Sequence, residues 1–175
     1  MIGFLDETSP QTTANSQRFW SFTRPVITKN TTKLRANTFG FYALNGTSVI
    51  DFREHSRKED VCAFLGRIRE ENPGKNLLMI LDNFRSHHAN QTVEFALKEH
   101  IELVYLPPYS PDLNPLEYIW KSIKRIVSAT VIQDLDHFKE IIETSFKQYA
   151  VRLGYARKWI EKFMSEDIKY NIIGS

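Results

Sequence analysis

Cysteine occurs once in this chain of 175 residues, at Cys62. A lone thiol excludes an internal disulfide framework and a multi-cysteine zinc site, and it fits a reducing compartment. No apolar run approaches the roughly 18 residues needed to span a bilayer. The first residues also lack a basic segment leading into a signal-peptide apolar stretch. A cytoplasmic protein without a membrane partner is expected. Neither sign of charge is in excess: the net is +2, with a sequence pI near 8.6, too mild to argue for nucleic acid unaided. Repeats, low-complexity tracts and interdomain linkers are missing as well. The simplest division is one domain over residues 1–175, with a core over about 1–130 and further helices over about 131–165.

What is there is an ordinary globular balance, 42% hydrophobic and 25% charged, in a chain long enough to bury a core without staples. Residues 1–6 read as a strand. Asn45-Gly46, set between Phe39–Leu44 and Thr47–Phe52, is a two-residue hairpin signal. Gln17 to Phe22 is also rich in aromatics, and Arg24 to Arg35 reads as a polar, basic connection. An antiparallel meander is expected over the first fifty residues. The period then changes: Val61, Phe64, Leu65 and Ile68 recur at helical spacing, and Asn72-Pro73-Gly74 stops that helix. Leu77 to Leu81 is an unbroken apolar run, as in a central strand covered on both faces. Helices are expected over Asn90–His100, Leu113–Ser128, Leu135–Tyr149 and within Val151–Met164, with a strand at Ile101–Leu106 and a frayed end over Asn171–Ser175. The order predicts an α/β fold: a mixed central sheet, with three antiparallel strands followed by parallel ones, and helices on both faces.

Three acids stand at the ends of these elements. Asp6 follows Met1–Leu5, Asp82 follows Leu77–Leu81, and Glu117 lies on the first turn of the helix after Ile101–Leu106. Each has a plain structural alternative. Asp6 could open a turn, and Asp82 could cap the next loop. Glu117 could complete a capping box with Asn114 across Pro115, or pair with Lys121. Neighbouring strands that each end in Asp, however, bring two carboxylates to one edge of the core, and a helix start adds a third. Such acids repel one another unless a cation neutralises them, and all-oxygen ligation favours Mg²⁺ or Mn²⁺. Two such ions suit phosphoryl transfer.

The residues around these acids resemble the catalytic domain of insertion-sequence transposases of the mariner-like DDE superfamily. The matching segments are Phe4-Leu5-Asp6-Glu7, then Leu81-Asp82-Asn83 with His87, then Leu106-Pro107-Pro108-Tyr109-Ser110-Pro111-Asp112-Leu113-Asn114-Pro115-Leu116-Glu117 with Trp120 and Lys124. The interval of 34 residues between Asp82 and Glu117 is the one this branch uses. The resemblance covers about residues 1–130. It implies an RNase H-like (integrase-like) fold and two Mg²⁺ or Mn²⁺ ions on Asp6, Asp82 and Glu117. The implied chemistry is DNA cleavage that frees a 3′ hydroxyl, followed by its attack on target DNA. Implied partners are transposon ends, target DNA and a second copy of the chain on DNA, with nucleoid association while acting. Relatives carry helix-turn-helix modules ahead of this domain, and Asp6 leaves no room for one. A separate DNA-reading domain or chain is therefore expected.

Among nearby residues, His87 and Arg85 are candidates for DNA contact, and His87 alternatively orients Asp82. Lys121 and Lys124 share the helix face of Glu117, where a DNA strand would lie. Asn83 and Asn114 are expected to hold the turns beside the acids. Trp20, Trp120 and Trp159 read most simply as core. Two other functions fit the same residues: an inactive or partial remnant that associates with DNA non-specifically, and a structure-selective RNase H-like nuclease.

Overall fold

The computed structural model describes residues 1–13, 22 and 30–173. Five strands, β1 (Ile2–Thr8), β2 (Thr38–Ala43), β3 (Val49–Phe52), β4 (Leu77–Leu81) and β5 (Ile101–Tyr105), form one mixed sheet in the order β3-β2-β1-β4-β5. Strands β1 to β3 pair antiparallel, and β4 and β5 run parallel to β1. This is the meander followed by parallel strands that the sequence predicts. The expected strand at Gln17–Phe22 and the placement of Trp20 lie outside the described residues, apart from the exposed Phe22.

Side chains alternate across a strand, so each strand feeds two cores. Leu5, Phe39, Phe41, Met79 and Leu81 face one way and pack against helices α1 (Lys58–Glu71) and α2 (Asn90–Lys98) through Phe64, Leu65, Ile68 and Ala96. Phe4, Tyr42, Ile50 and Ile80 face the other way. They meet α3 (Leu116–Ala129), α4 (Leu135–Ala150), α5 (Arg157–Phe163) and α6 (Glu166–Ile173) through Trp120, Ile123, Phe138, Ile142, Phe146, Ile160 and Ile172. Helices thus cover both faces. Among the described residues no helix is long and apolar enough to cross a membrane.

Three local expectations are corrected. The β2–β3 connection is not a two-residue turn but the five residues from Leu44 to Ser48. Tertiary bonds outcompete the tight turn there: Ile2 N–H donates to Asn45 Oδ1, and Thr47 N–H donates to the buried Asn72 Oδ1. The helix expected from Leu113 begins at Leu116, because a single 3-10 turn at Pro111–Leu113 precedes it. The segment beyond Ser165 is helical to Ile173 rather than frayed from Asn171, with Ile172 buried in the second core.

Candidate active site

Strand register decides where the first two acids meet. Phe4 of β1 pairs with Ile80 of β4 in parallel, so two residues further on Asp6 comes level with Asp82. Both fall in the phase of Phe4 and Ile80, on the sheet face covered by α3 to α6. Helix α3 brings Glu117 to the same place. The three carboxylates line one cavity of about 440 Å³, together with Asn83, Phe84, Asn114 and the turn from Leu106 to Pro111.

Their surroundings differ. Asp6 is 7% exposed, and its Oδ2 accepts the indole N–H of Trp120 at 3.0 Å. Burial raises its pKa well above the usual carboxylate range, and the charges of Glu117, Glu7 and Asp82 add to the effect. Asp82 is half-exposed, and its pKa is lowered, chiefly by the hydrogen bond from His87. Its Oδ1 receives both His87 Nδ1 at 2.9 Å and the N–H of Phe84 at 3.0 Å, leaving Oδ2 for another partner. Glu117 is partly buried on the first turn of α3.

The Trp120 contact depends on a glycine. Gly40 is the β2 partner of Asp6. A Cβ there would stand 2.5 Å from Trp120 Cζ2 and 3.1 Å from Phe146 Cε2. Trp120 is buried as expected, but it is also the hydrogen-bond donor that fixes Asp6.

His87 is fully buried, which corrects its assignment as a DNA contact. Its ring spans two carboxylates, Nδ1 to Asp82 and Nε2 to Glu7 Oε1 at 3.0 Å. Burial alone would depress its pKa. The bonds to Asp82 and Glu7 outweigh burial and raise it to about 10. The imidazolium therefore serves to orient Asp82. Glu7, absent from the sequence-derived site, is the group that anchors it; its position directly after Asp6 was the only available signal.

Asn83 and Asn114 each bond to backbone beside the acids. Asn83 Nδ2 donates to the carbonyl of Leu106, tying the end of β4 to that of β5, and its Oδ1 meets His88 Nε2 at 2.9 Å. Buried Asn114 accepts the N–H of Leu116 at 3.1 Å, which caps α3 without using the Glu117 side chain. Arg85 is exposed beside Phe84. Lys121 and Lys124, with Arg125, Tyr118 and Glu117, line a neighbouring cavity of about 580 Å³.

Among the described residues no three His, Cys, Asp or Glu side chains are gathered closely enough to hold a metal ion. The donor set nonetheless suits a hard divalent cation. It is all oxygen, and the charges of Glu117, Glu7 and Asp82, which add to burial in raising the Asp6 pKa, are what a cation would relieve.

The mixed sheet with helices on both faces is the RNase H-like fold, with Asp6 inside β1, Asp82 just past β4 and Glu117 on α3. The family model described as DDE superfamily endonuclease matches residues 1–139, and the chain belongs to that family. The crystal structure of the catalytic domain of Mos1 mariner transposase superposes with a TM-score of 0.60 at 15% identity, over 89% of this chain and 78% of that one. The Mos1 mariner paired end complex with Mn gives a TM-score of 0.67 at 17% identity, over 92% of this chain and 52% of that one. The Tc1 transposase of Caenorhabditis elegans is 25% identical over 91 residues, 52% of this chain and 33% of the relative. The chain thus spans about a third of that curated relative's length.

Proposed function

We propose that this chain is the catalytic domain of a DNA transposase, cutting a DNA strand to free a 3′ hydroxyl and joining that end to target DNA. The observation that carries the reading is the convergence of Asp6, Asp82 and Glu117 on one cavity, where burial first, and then the acidic neighbours, raise the Asp6 pKa. Asp6, Asp82 and Glu117 would hold two divalent cations, Mg²⁺ or Mn²⁺, whose chemistry when bound is to activate an attacking oxygen and stabilise a leaving one.

The chain's own residues do the positioning. Trp120 holds Asp6 on the floor of the cavity, and its indole excludes water from that side. His87, braced by Glu7, fixes Asp82 Oδ1. Asn83 and Asn114 fix the two backbones that carry Asp82 and Glu117. Exposed Lys121, with Lys124 on the same face of α3, supports binding of DNA phosphates beside Glu117, and Arg85 extends that surface on the Asp82 side. DNA ends and target are the substrates, a second copy of the chain assembles on paired ends, and a separate DNA-reading domain or chain supplies sequence choice. The Mos1 transposase paired-end complex with the left transposon end and the Mos1 strand transfer complex support this assembly by analogy.

The test is nicking of supercoiled plasmid in Mg²⁺ or Mn²⁺ by the wild type beside Asp82→Ala. Metal-dependent nicking is expected in the wild type, and a fall of about a thousandfold in the variant, the scale of losing a charge-stabilising group. Equal nicking by both proteins would sink the assignment.

A further inference from the structure

The segment from Asp82 to Ala89 joins β4 to α2, and it carries Asp82 at its start and His87 near its end. For the imidazole to reach Asp82, the backbone of His87 must be aimed as well as its side chain. The direction of its Cα–Cβ bond is set by the two planar peptide groups that flank it. One of these is held within the segment, where His87 N–H donates to the Phe84 carbonyl at 2.9 Å. The other is held from outside it. The hydroxyl of Tyr105 donates to the His87 carbonyl at 3.0 Å.

Tyr105 is the last residue of β5, the outermost strand, and it pairs with Leu81, the residue before Asp82. Its ring packs against the core under α1 and α2, on the sheet face opposite the acids, and it does not line their cavity. The ring also stacks on His88, with centroids 4.0 Å apart and planes at 20°. His88 Nε2 in turn meets Asn83 Oδ1, and Asn83 is bonded to Leu106, the residue after Tyr105. Thr92, fully buried on α2, donates to the Ser86 carbonyl at 2.8 Å. The end of β5 and the start of α2 thus grip the segment at successive carbonyls.

A phenyl ring would fill the same apolar space and stack on His88 equally well, so the hydroxyl is the informative atom. Resting on the function proposed above, we propose that Tyr105 is a positioning residue for the cutting centre. Its hydroxyl sets the His87 backbone so that the imidazole meets Asp82, and Asp82 then presents its carboxylate to a divalent cation. Glu7 fixes the far end of the imidazole, and Tyr105 fixes its root.

Tyr105→Phe tests this by removing one oxygen and keeping the ring. Calorimetric titration with Mn²⁺ should show about tenfold weaker binding, the lower end of the range for partners that orient a metal ligand. Plasmid nicking should lose about tenfold in kcat while the KM for plasmid stays within about twofold, as for a group that does not touch DNA. In the metal-free protein labelled with nitrogen-15 histidine, the Nδ1 proton of His87 should move upfield as its bond to Asp82 lengthens. In a His87→Gln background the same change should weaken Mn²⁺ binding by less than about twofold, because the two residues act in series. Unchanged Mn²⁺ binding and an unmoved His87 proton would overturn the inference, as would a fall in melting temperature alone. So would full, additive losses in the His87→Gln background. If the wild type nicks and Tyr105→Phe matches it in every readout, only this inference fails. If the wild type never nicks, yet Tyr105→Phe weakens Mn²⁺ binding and moves the His87 proton, the positioning role stands and the transposase reading does not.

Discussion

The two faces of the sheet are built from the same strands and do different work. Toward α1 and α2, β1 and β4 present Leu5, Met79 and Leu81, and the core stays apolar to its edge. On the opposite face the same strands present Phe4 and Ile80, then Asp6 and Asp82 one pleat later. The difference is phase alone. A shift of one residue in the β1–β4 register would put one aspartate level with a leucine and pull the pair apart. Both faces bury an apolar core, and one of them also holds a cluster of charge tied down by hydrogen bonds from Trp120 and His87.

Changes on either side should break this contrast in opposite ways. The largest effect on stability is expected from Leu65→Ala, on the fully buried side of α1. Chemical denaturation should show a loss of about 2–5 kcal/mol, while nicking per folded molecule stays within about twofold. On the other face Glu7→Gln should do the reverse. By loosening His87 it should lower Mn²⁺ affinity and nicking about 10- to 100-fold, the range for partners that orient a ligand, with the melting temperature nearly unchanged. Gly40→Ala should fall between the two. Its new Cβ must displace Trp120 or Phe146, costing about 1–3 kcal/mol and releasing Asp6. Calorimetry reads the first effect and the nicking rate the second. A variant with full activity would show that the indole bond to Asp6 is dispensable.

A further contrast lies in pH dependence. The folded His87 pKa, about 10, lies above the ordinary 6.5, so the folded state holds the proton more tightly than the unfolded chain. Its contribution is complete below about pH 6.5 and fades as pH rises through about 10. The urea midpoint of the wild type should accordingly drop further between pH 6.5 and 10 than that of His87→Gln. Asp82 works in the other direction, because its lowered pKa makes its contribution one that is lost on acidification. Parallel midpoints for the two proteins across the alkaline range would argue against a charged His87.

The acids themselves were legible because each closes a local pattern: an apolar run ending at Asp6 or Asp82, and a proline-rich turn opening at Glu117. The first helix was legible from spacing, since α1 buries Val61, Phe64, Leu65 and Ile68 as their period predicts. What could not be read were relations between distant parts. Glu7 and His87 are 80 residues apart, and Trp120 and Asp6 are 114 apart. Nothing local in either partner announces the other, because sheet order and register bring them together. The same holds for the Leu44–Ser48 loop, where Asn45-Gly46 carries the chemistry of a tight turn but Asn72, from the end of α1, takes the backbone instead. The sequence left His87 between contacting DNA and orienting Asp82 for a related reason. A polar residue in a loop looks exposed until its two acidic neighbours are known.

The central place of β1 also has a consequence for how the molecule is made. It is the first strand in sequence, yet its partners arrive late: β2 begins at Thr38, β4 at Leu77, and the helix bearing Glu117 and Trp120 at Leu116. Closing those long loops slows assembly, and the contacts of β1 are among the most distant in the chain. During synthesis Asp6 emerges long before the other two carboxylates. No partial product that stops before α3 can present all three, so the acid cluster comes into being only after all five strands of the sheet have been made.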